Sequence, residues 1–196
     1  MKLCVFQGTF NPIHNAHLKM ADFVLKNYDF DKIVFIPAYR PPHKNYDTAL
    51  TPHRMEMVKL ATLVNPKFKV SDIEYQNERN SYTYLTILEL YKKYDIEGKI
   101  SFIIGTDAFK KIDTWYETDK LKNMLDFIVF VRENEPDKKK YEELKAKGYN
   151  FTFARMDFED ISSTNIRQSI KEGKNIDKYV TDKVKGYIKE NGLYQN

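Results

Sequence analysis

Cysteine is almost absent: Cys4 is the single one in 196 residues. A lone cysteine excludes an internal disulfide and suits a reducing cytoplasm. Cys4 falls in the first apolar run, so it reads as a small core residue rather than a nucleophile. Charge of one sign is lacking too. The chain carries 32 Lys and Arg against 28 Asp and Glu, a net charge of +4. That balance favours an ordinary solvated surface over a nucleic-acid partner, while still helping to attract anionic small molecules. No apolar run approaches the roughly 20 residues that span a bilayer, and no signal peptide precedes the first strand. A cytoplasmic protein with no membrane partner is expected. Internal repeats, linkers and low-complexity tracts are missing as well. One domain over 1–196 is the economical reading, with C-terminal helices from about 163 to 196 packed on it. Apolar residues make up 42% of the chain, and 14 Tyr and 13 Phe give it an aromatic-rich core, a count that carries no functional inference.

What is present concentrates in Lys2 to Met20. The apolar run Leu3-Cys4-Val5-Phe6 stops at Gln7-Gly8, a turn passes through Thr9-Phe10-Asn11-Pro12, and a helix pattern begins near His14. Strand, glycine-bearing turn and helix N-terminus in succession is how α/β proteins offer backbone N–H groups to a phosphate. His14 and His17 stand three residues apart at that helix start, a spacing that puts both imidazoles on one helical face. The spacing is wrong for a zinc-protease helix, which needs two histidines four positions apart and a Glu after the first. No protein metal cage is found elsewhere.

Apolar strand-like runs then alternate with helical periodicity. Strands are expected at 32–36, 68–73, 100–104, 127–131 and 151–154. Helices are expected at about 14–27, 51–64, 83–94, 137–147, 165–172 and 181–190, with Thr51-Pro52 as N-cap and first helical residue. The polar stretches 38–50 and 74–82 read as loops. This pattern argues for an α/β fold: a doubly wound, mainly parallel, Rossmann-like sheet with helices on both faces. Ligands of such sheets bind at the strand C-terminal ends.

Gly8-Thr9-Phe10-Asn11-Pro12-Ile13-His14-Asn15-Ala16-His17 resembles the G-[ST]-F-D-P-x-H-x-G-H signature of the nucleotidyltransferase superfamily with the HxGH motif. Gln7 stands where that family often has a first Gly, Asn11 replaces its Asp, and Ala16 replaces the Gly between the histidines. Ile161-Ser162-Ser163-Thr164-Asn165-Ile166-Arg167 resembles the distal I-S-S-T-x-I-R motif. Three weaker matches follow the family's order: Pro42-His43-Lys44, Asn80-Ser81-Tyr82-Thr83-Tyr84, and Ile103-Ile104-Gly105-Thr106-Asp107 with Trp115 beyond it. Within the superfamily the chain is most similar to the bacterial nicotinate-mononucleotide adenylyltransferases.

The resemblance implies an enzyme that joins nicotinate mononucleotide to the AMP portion of ATP, giving deamido-NAD and pyrophosphate in NAD biosynthesis. Its attacking group is already an anionic phosphate oxygen, so no Ser or Cys nucleophile is needed. In-line positioning and stabilisation of phosphate charge are. His14, His17 and Arg167 are the expected catalytic residues. The expected ATP-binding set is Gly8, Thr9, Phe10 and His17, with Gly105 and Asp107 at a later strand end. Ser162, Ser163, Thr164 and Arg167 complete it, the hydroxyls lying at a helix start and Arg167 able to clamp phosphates. The resemblance further implies that Thr83, Trp115 and Tyr116 form the nicotinate pocket. His43 and Lys44 are expected to meet the mononucleotide phosphate, with Arg54 a lesser helper. His53 is left as a helix-surface residue. Mg²⁺ is expected to arrive with ATP rather than on a protein cage. A homo-oligomer is compatible with the chain. Two other readings stay open. One is a relative with another acceptor, such as nicotinamide mononucleotide or phosphopantetheine. The other is a non-catalytic nucleotide sensor.

Overall fold

The computed structural model describes residues 1–42, 47–131, 138–157 and 161–195. The chain opens with β1 (Leu3–Gly8), whose Leu3, Cys4 and Val5 are fully buried. Helix α1 (Asn15–Asn27) returns along one face to β2 (Lys32–Pro37), and α2 (Leu50–Thr62) leads to the short β3 (Phe68–Val70). The chain then crosses through α3 (Ile73–Asn77) and α4 (Thr83–Lys93) to β4 (Ile100–Gly105). Two single-turn helices, α5 (Thr106–Phe109) and α6 (Thr118–Leu121), flank a 3₁₀ turn at Ile112–Thr114. After them come β5 (Leu125–Phe130), α7 (Lys138–Ala146), β6 (Asn150–Ala154), α8 (Ser163–Lys171) and α9 (Asp182–Glu190).

The six strands lie in the order β3-β2-β1-β4-β5-β6, and every pairing is parallel. Period-two alternation splits the sheet into two cores. Cys4 and Phe6 point into one, with Leu18 of α1, Met57 of α2, Ile166 of α8 and Val184 of α9. Leu3 and Val5 point into the other, with Ile73 of α3, Ile87 of α4 and Leu144 of α7. The doubly wound expectation therefore holds, and the sheet is wholly parallel. The winding reverses between β1 and β4, which creates a crevice at their C-terminal ends. Cys4 is buried as expected, and burial pushes its thiol pKa up. No helix among the described residues is long and apolar enough to cross a membrane.

Two expectations need correction. The third strand stops at Val70, not residue 73, and the stretch beyond it contains α3 instead of being all loop. The Asp72 carbonyl accepts from the amides of Tyr75 and Gln76 at 2.8 and 3.1 Å, closing a helical turn. That turn sinks Ile73 and Glu74 to 5% exposure each. A local pattern reading takes the polar run for surface, but tertiary packing decides it. The second helix begins at Leu50 with Ala49 as cap. Thr51 is thus inside the helix, where its Oγ1 accepts from Arg54 Nη2 at 3.3 Å.

Candidate active site

The turn after β1 is shaped by Phe10. Its φ is +48°, and its buried ring meets Phe6 and His17 edge-on, at 5.6 and 5.0 Å between centroids. A Cβ at residue 8 would lie 2.9 Å from that ring, so Gly8 is required for the turn to close over Phe10. Arg54, 1% exposed, braces the turn from below. Its Nη1 donates to the carbonyls of Thr9 (2.9 Å) and Ala38 (2.5 Å), and its Nη2 to that of Tyr39 (3.1 Å). It ties the loops after β1 and β2 together, a different task from the phosphate contact expected of it.

His14 is the N-cap of α1 and His17 its third residue. His14 therefore stands just outside the helix, yet the two imidazoles still come together on one side. Their rings stack, with centroids 3.7 Å apart and planes at 26°. The His14 amide donates to Nδ1 of His17 at 3.2 Å. An accepting Nδ1 leaves the ring proton on Nε2, so the geometry assigns the neutral Nε2–H tautomer. His14 itself is only 4% exposed.

The distal motif reaches the same turn. Ser162 caps α8 by accepting from the amide of Asn165 at 3.1 Å. Ser163 Oγ donates to the Pro12 carbonyl at 2.9 Å, and Arg167 Nη1 to the Asn11 carbonyl at 2.8 Å. Arg167 Nη2 also reaches Thr164 Oγ1 at 3.4 Å. Two helix N-termini, those of α1 and α8, are thereby drawn to one turn, and their aligned amide dipoles favour an anion there.

Two adjoining clefts open at the β1/β4 crevice. The first, about 460 Å³, is walled by Gly8, Thr9, Phe10 and His17 on one side and by Gly105, Asp107, Ser163, Thr164 and Arg167 on the other. The second, about 620 Å³, is walled by Thr83, Trp115 and Tyr116 with Pro41 and Pro42. Gln7, Gly8, Thr9, Asp107 and Ala108 belong to both, so the clefts share a partition. Trp115 is held edge-on by Phe102 at 6.2 Å, and Tyr116, 47% exposed, lies 4.7 Å from the Tyr82 ring. Both clefts are of ligand size.

Most residues expected from the sequence thus converge. His14 and Ser162 are in neither wall; His14 supports His17 and Ser162 caps α8 from behind them. His43 and Lys44 lie outside the described residues. Lys111, a wall residue of the second cleft, was not anticipated, and nothing in its spacing marks it. Nor was Gln7 assigned a role. His53, read as a surface residue, pairs through Nδ1 with the Tyr187 hydroxyl at 2.9 Å and links α2 to α9.

A parallel sheet wound both ways about a crevice, with histidine and arginine at paired helix starts, is the architecture of a nucleotidyltransferase. Residues 5–169 match the Cytidylyltransferase-like family, and the chain belongs to it. It is 40% identical over 196 residues to the nicotinate-nucleotide adenylyltransferase of Bacillus subtilis, covering 100% of this chain and 99% of that one. It is 39% identical over 198 residues, with both chains fully covered, to a probable nicotinate-nucleotide adenylyltransferase of Caldicellulosiruptor saccharolyticus. Within the wider family the chain is a member of the nicotinate-nucleotide adenylyltransferases. In fold it matches the solved Plasmodium falciparum nicotinic acid mononucleotide adenylyltransferase complexed with NaAD, with a TM-score of 0.77 over 98% of this chain and 97% of that one, at 22% identity.

Proposed function

We propose that this enzyme transfers AMP from ATP to nicotinate mononucleotide, forming deamido-NAD and pyrophosphate. The observation that carries the reading is the pair of clefts sharing the Gln7-Gly8-Thr9 partition. A reaction between two nucleotides needs two seats whose reacting phosphates meet at one point, and the partition supplies that point. ATP takes the first cleft, with its phosphates toward the α1 and α8 N-termini. The mononucleotide takes the second, its pyridine ring against Trp115.

The chemistry follows from that seating. A phosphate oxygen of the mononucleotide attacks the α-phosphorus of ATP. The new P–O bond forms as the bond from the α-phosphorus to the bridging oxygen breaks, and pyrophosphate leaves with the electron pair. His17, donating through Nε2, and Arg167 stabilise the charge spreading over the phosphates. Ser163 and Thr164 present hydroxyls on the same side. His14 acts on His17 through its amide and its stacked ring. Lys111 offers a cation to the anionic mononucleotide. Mg²⁺ would come in on the ATP phosphates and neutralise part of their charge. Asp107 is a carboxylate in the shared wall suited to approach it.

Pyrophosphate release by the purified protein with Mg-ATP tests this reading. Nicotinate mononucleotide, nicotinamide mononucleotide and phosphopantetheine are offered separately. Strong preference for the first is expected. Activity with another acceptor alone would discard the nicotinate seat, and binding of ATP with no release in any of the three would discard catalysis.

A further inference from the structure

A buried polar island lies behind the second cleft. Glu74 is 5% exposed, Thr86 3%, Ser81 8% and Thr83 9%. Alternation along β1 puts Gln7 on the same face as Leu3 and Val5, toward α3 and α4. Its amide spans the island. Gln7 Nε2 donates to Glu74 Oε1, and Gln7 Oε1 accepts from Thr83 Oγ1 at 2.8 Å. Glu74 Oε1 also accepts from Thr86 Oγ1 at 2.7 Å, and Oε2 from the Tyr39 amide at 3.1 Å. Ser81 bonds to the same carboxyl group, while its Oγ accepts from the Arg40 amide at 3.0 Å.

Glu74 thus gathers three segments that wall the cleft: the end of β1, the loop after β2, and the start of α4. A carboxylate can only accept, so it dictates which end of the Gln7 amide faces it. The carbonyl end is then turned to Thr83. The reversed amide would set its oxygen against the Glu74 carboxylate, acceptor against acceptor.

We infer that Gln7 is a positioning residue for the mononucleotide: anchored by Glu74, its amide fixes Thr83 and so the N-terminus of α4 at the cleft wall. This rests on the seating proposed above. Burial raises the Glu74 pKa, and four donors oppose that shift, as a built polar network requires.

The test separates the two substrates. In pyrophosphate-release kinetics, Gln7→Ala should raise KM for nicotinate mononucleotide about tenfold, the scale of losing one buried hydrogen-bonded link. KM for Mg-ATP should rise clearly less, although Gln7 also borders the first cleft. A merely structural role would move both constants together or neither. Adding Gln7→Ala to Thr83→Val should cost less than about twofold further, because both act through one hydroxyl. Equal rises for both substrates, an unchanged mononucleotide KM, or full additivity would overturn the inference. Glu74→Gln brings an N–H₂ group to face Gln7 Nε2 or the Tyr39 amide, and should repeat the mononucleotide-selective defect. Unchanged constants there would remove Glu74 as anchor. Trp115→Ala judges the seating separately. A raised mononucleotide KM in that variant with none in Gln7→Ala overturns this inference alone, and none in either overturns both.

Discussion

The hydroxyl of Tyr194 donates to Oδ1 of Asn11 at 2.5 Å, joining residues 183 apart in sequence. The same turn receives Arg167 on the Asn11 carbonyl and Ser163 on the Pro12 carbonyl. Asn15 adds two bonds, from its amide to Tyr179 and from its side chain to Lys178, at 2.7 and 2.9 Å. The C-terminal segment therefore clamps the turn that carries Phe10 and leads to His14. Tyr194→Phe removes one bond and no volume, and should lower stability by about 1 kcal/mol, or roughly 2–4 °C in Tm. Turnover should fall with it, because the loosened turn carries the partition between the clefts. Thermal melts and steady-state rates on the same sample check this. An unchanged kcat would confine the clamp to stability.

His17 is fixed by what surrounds its ring: the His14 amide on Nδ1, the stacked His14 ring, and Phe10 edge-on. His17→Ala should cut kcat by more than about 100-fold, the scale of one lost transition-state donor. ATP affinity, measured by calorimetry, should change much less. His14→Ala leaves the backbone amide in place and removes only the stacked ring, so its effect on kcat should be smaller. A larger loss in His14→Ala than in His17→Ala would reverse the roles assigned to them.

Trp115 belongs to one cleft alone and so tests the proposed seating. It walls the second and not the first, and it is held against Phe102. Trp115→Ala should therefore raise KM for the mononucleotide by tenfold or more, as expected for a lost aromatic contact of about 1.5 kcal/mol. KM for ATP should be nearly constant. Parallel rises in both would count against the seating of the pyridine ring.

Much of this arrangement was legible in the chain because its signals are local. The apolar runs of β1, β2, β4 and β5 are buried on both faces, which forces continuous hydrophobicity onto the sequence. The turn at Gly8 and the cap at Ser162 are written in neighbouring residues. What escaped depends on contacts between distant segments. Glu74 lies in a polar stretch and reads as surface, yet Gln7, Tyr39, Thr86 and Ser81 hold it in the interior. Arg54 reads as a helper at the mononucleotide phosphate, but three carbonyls from two loops take up its guanidinium. The stacking of His14 on His17 turns on one residue's difference in helix start, since an N-cap has extended backbone (here φ −145°, ψ 170°). Periodicity does not fix a boundary that finely.

Tyr75 gives an alkaline signature. Its hydroxyl donates to the Thr51 carbonyl at 2.8 Å, linking α3 to α2 under the cleft loops. Burial, the largest cause, pushes its pKa up from 10.0 to about 12. The unfolded chain loses that proton near pH 10, where the folded chain still holds it. Between those values the folded state binds more protons, so stability falls as pH rises. The contribution is complete below about pH 10 and is lost progressively toward pH 12. Tyr75→Phe lacks the titrating group and should show a flatter decline of Tm over that window, at the cost of a lower Tm at neutral pH from the missing bond to Thr51. Melts at half-unit steps from pH 8 to 11.5 make the comparison. Parallel curves for the two proteins would show that Tyr75 ionises alike in the folded and unfolded chain, and would remove this link between α3 and α2 as a source of the alkaline loss.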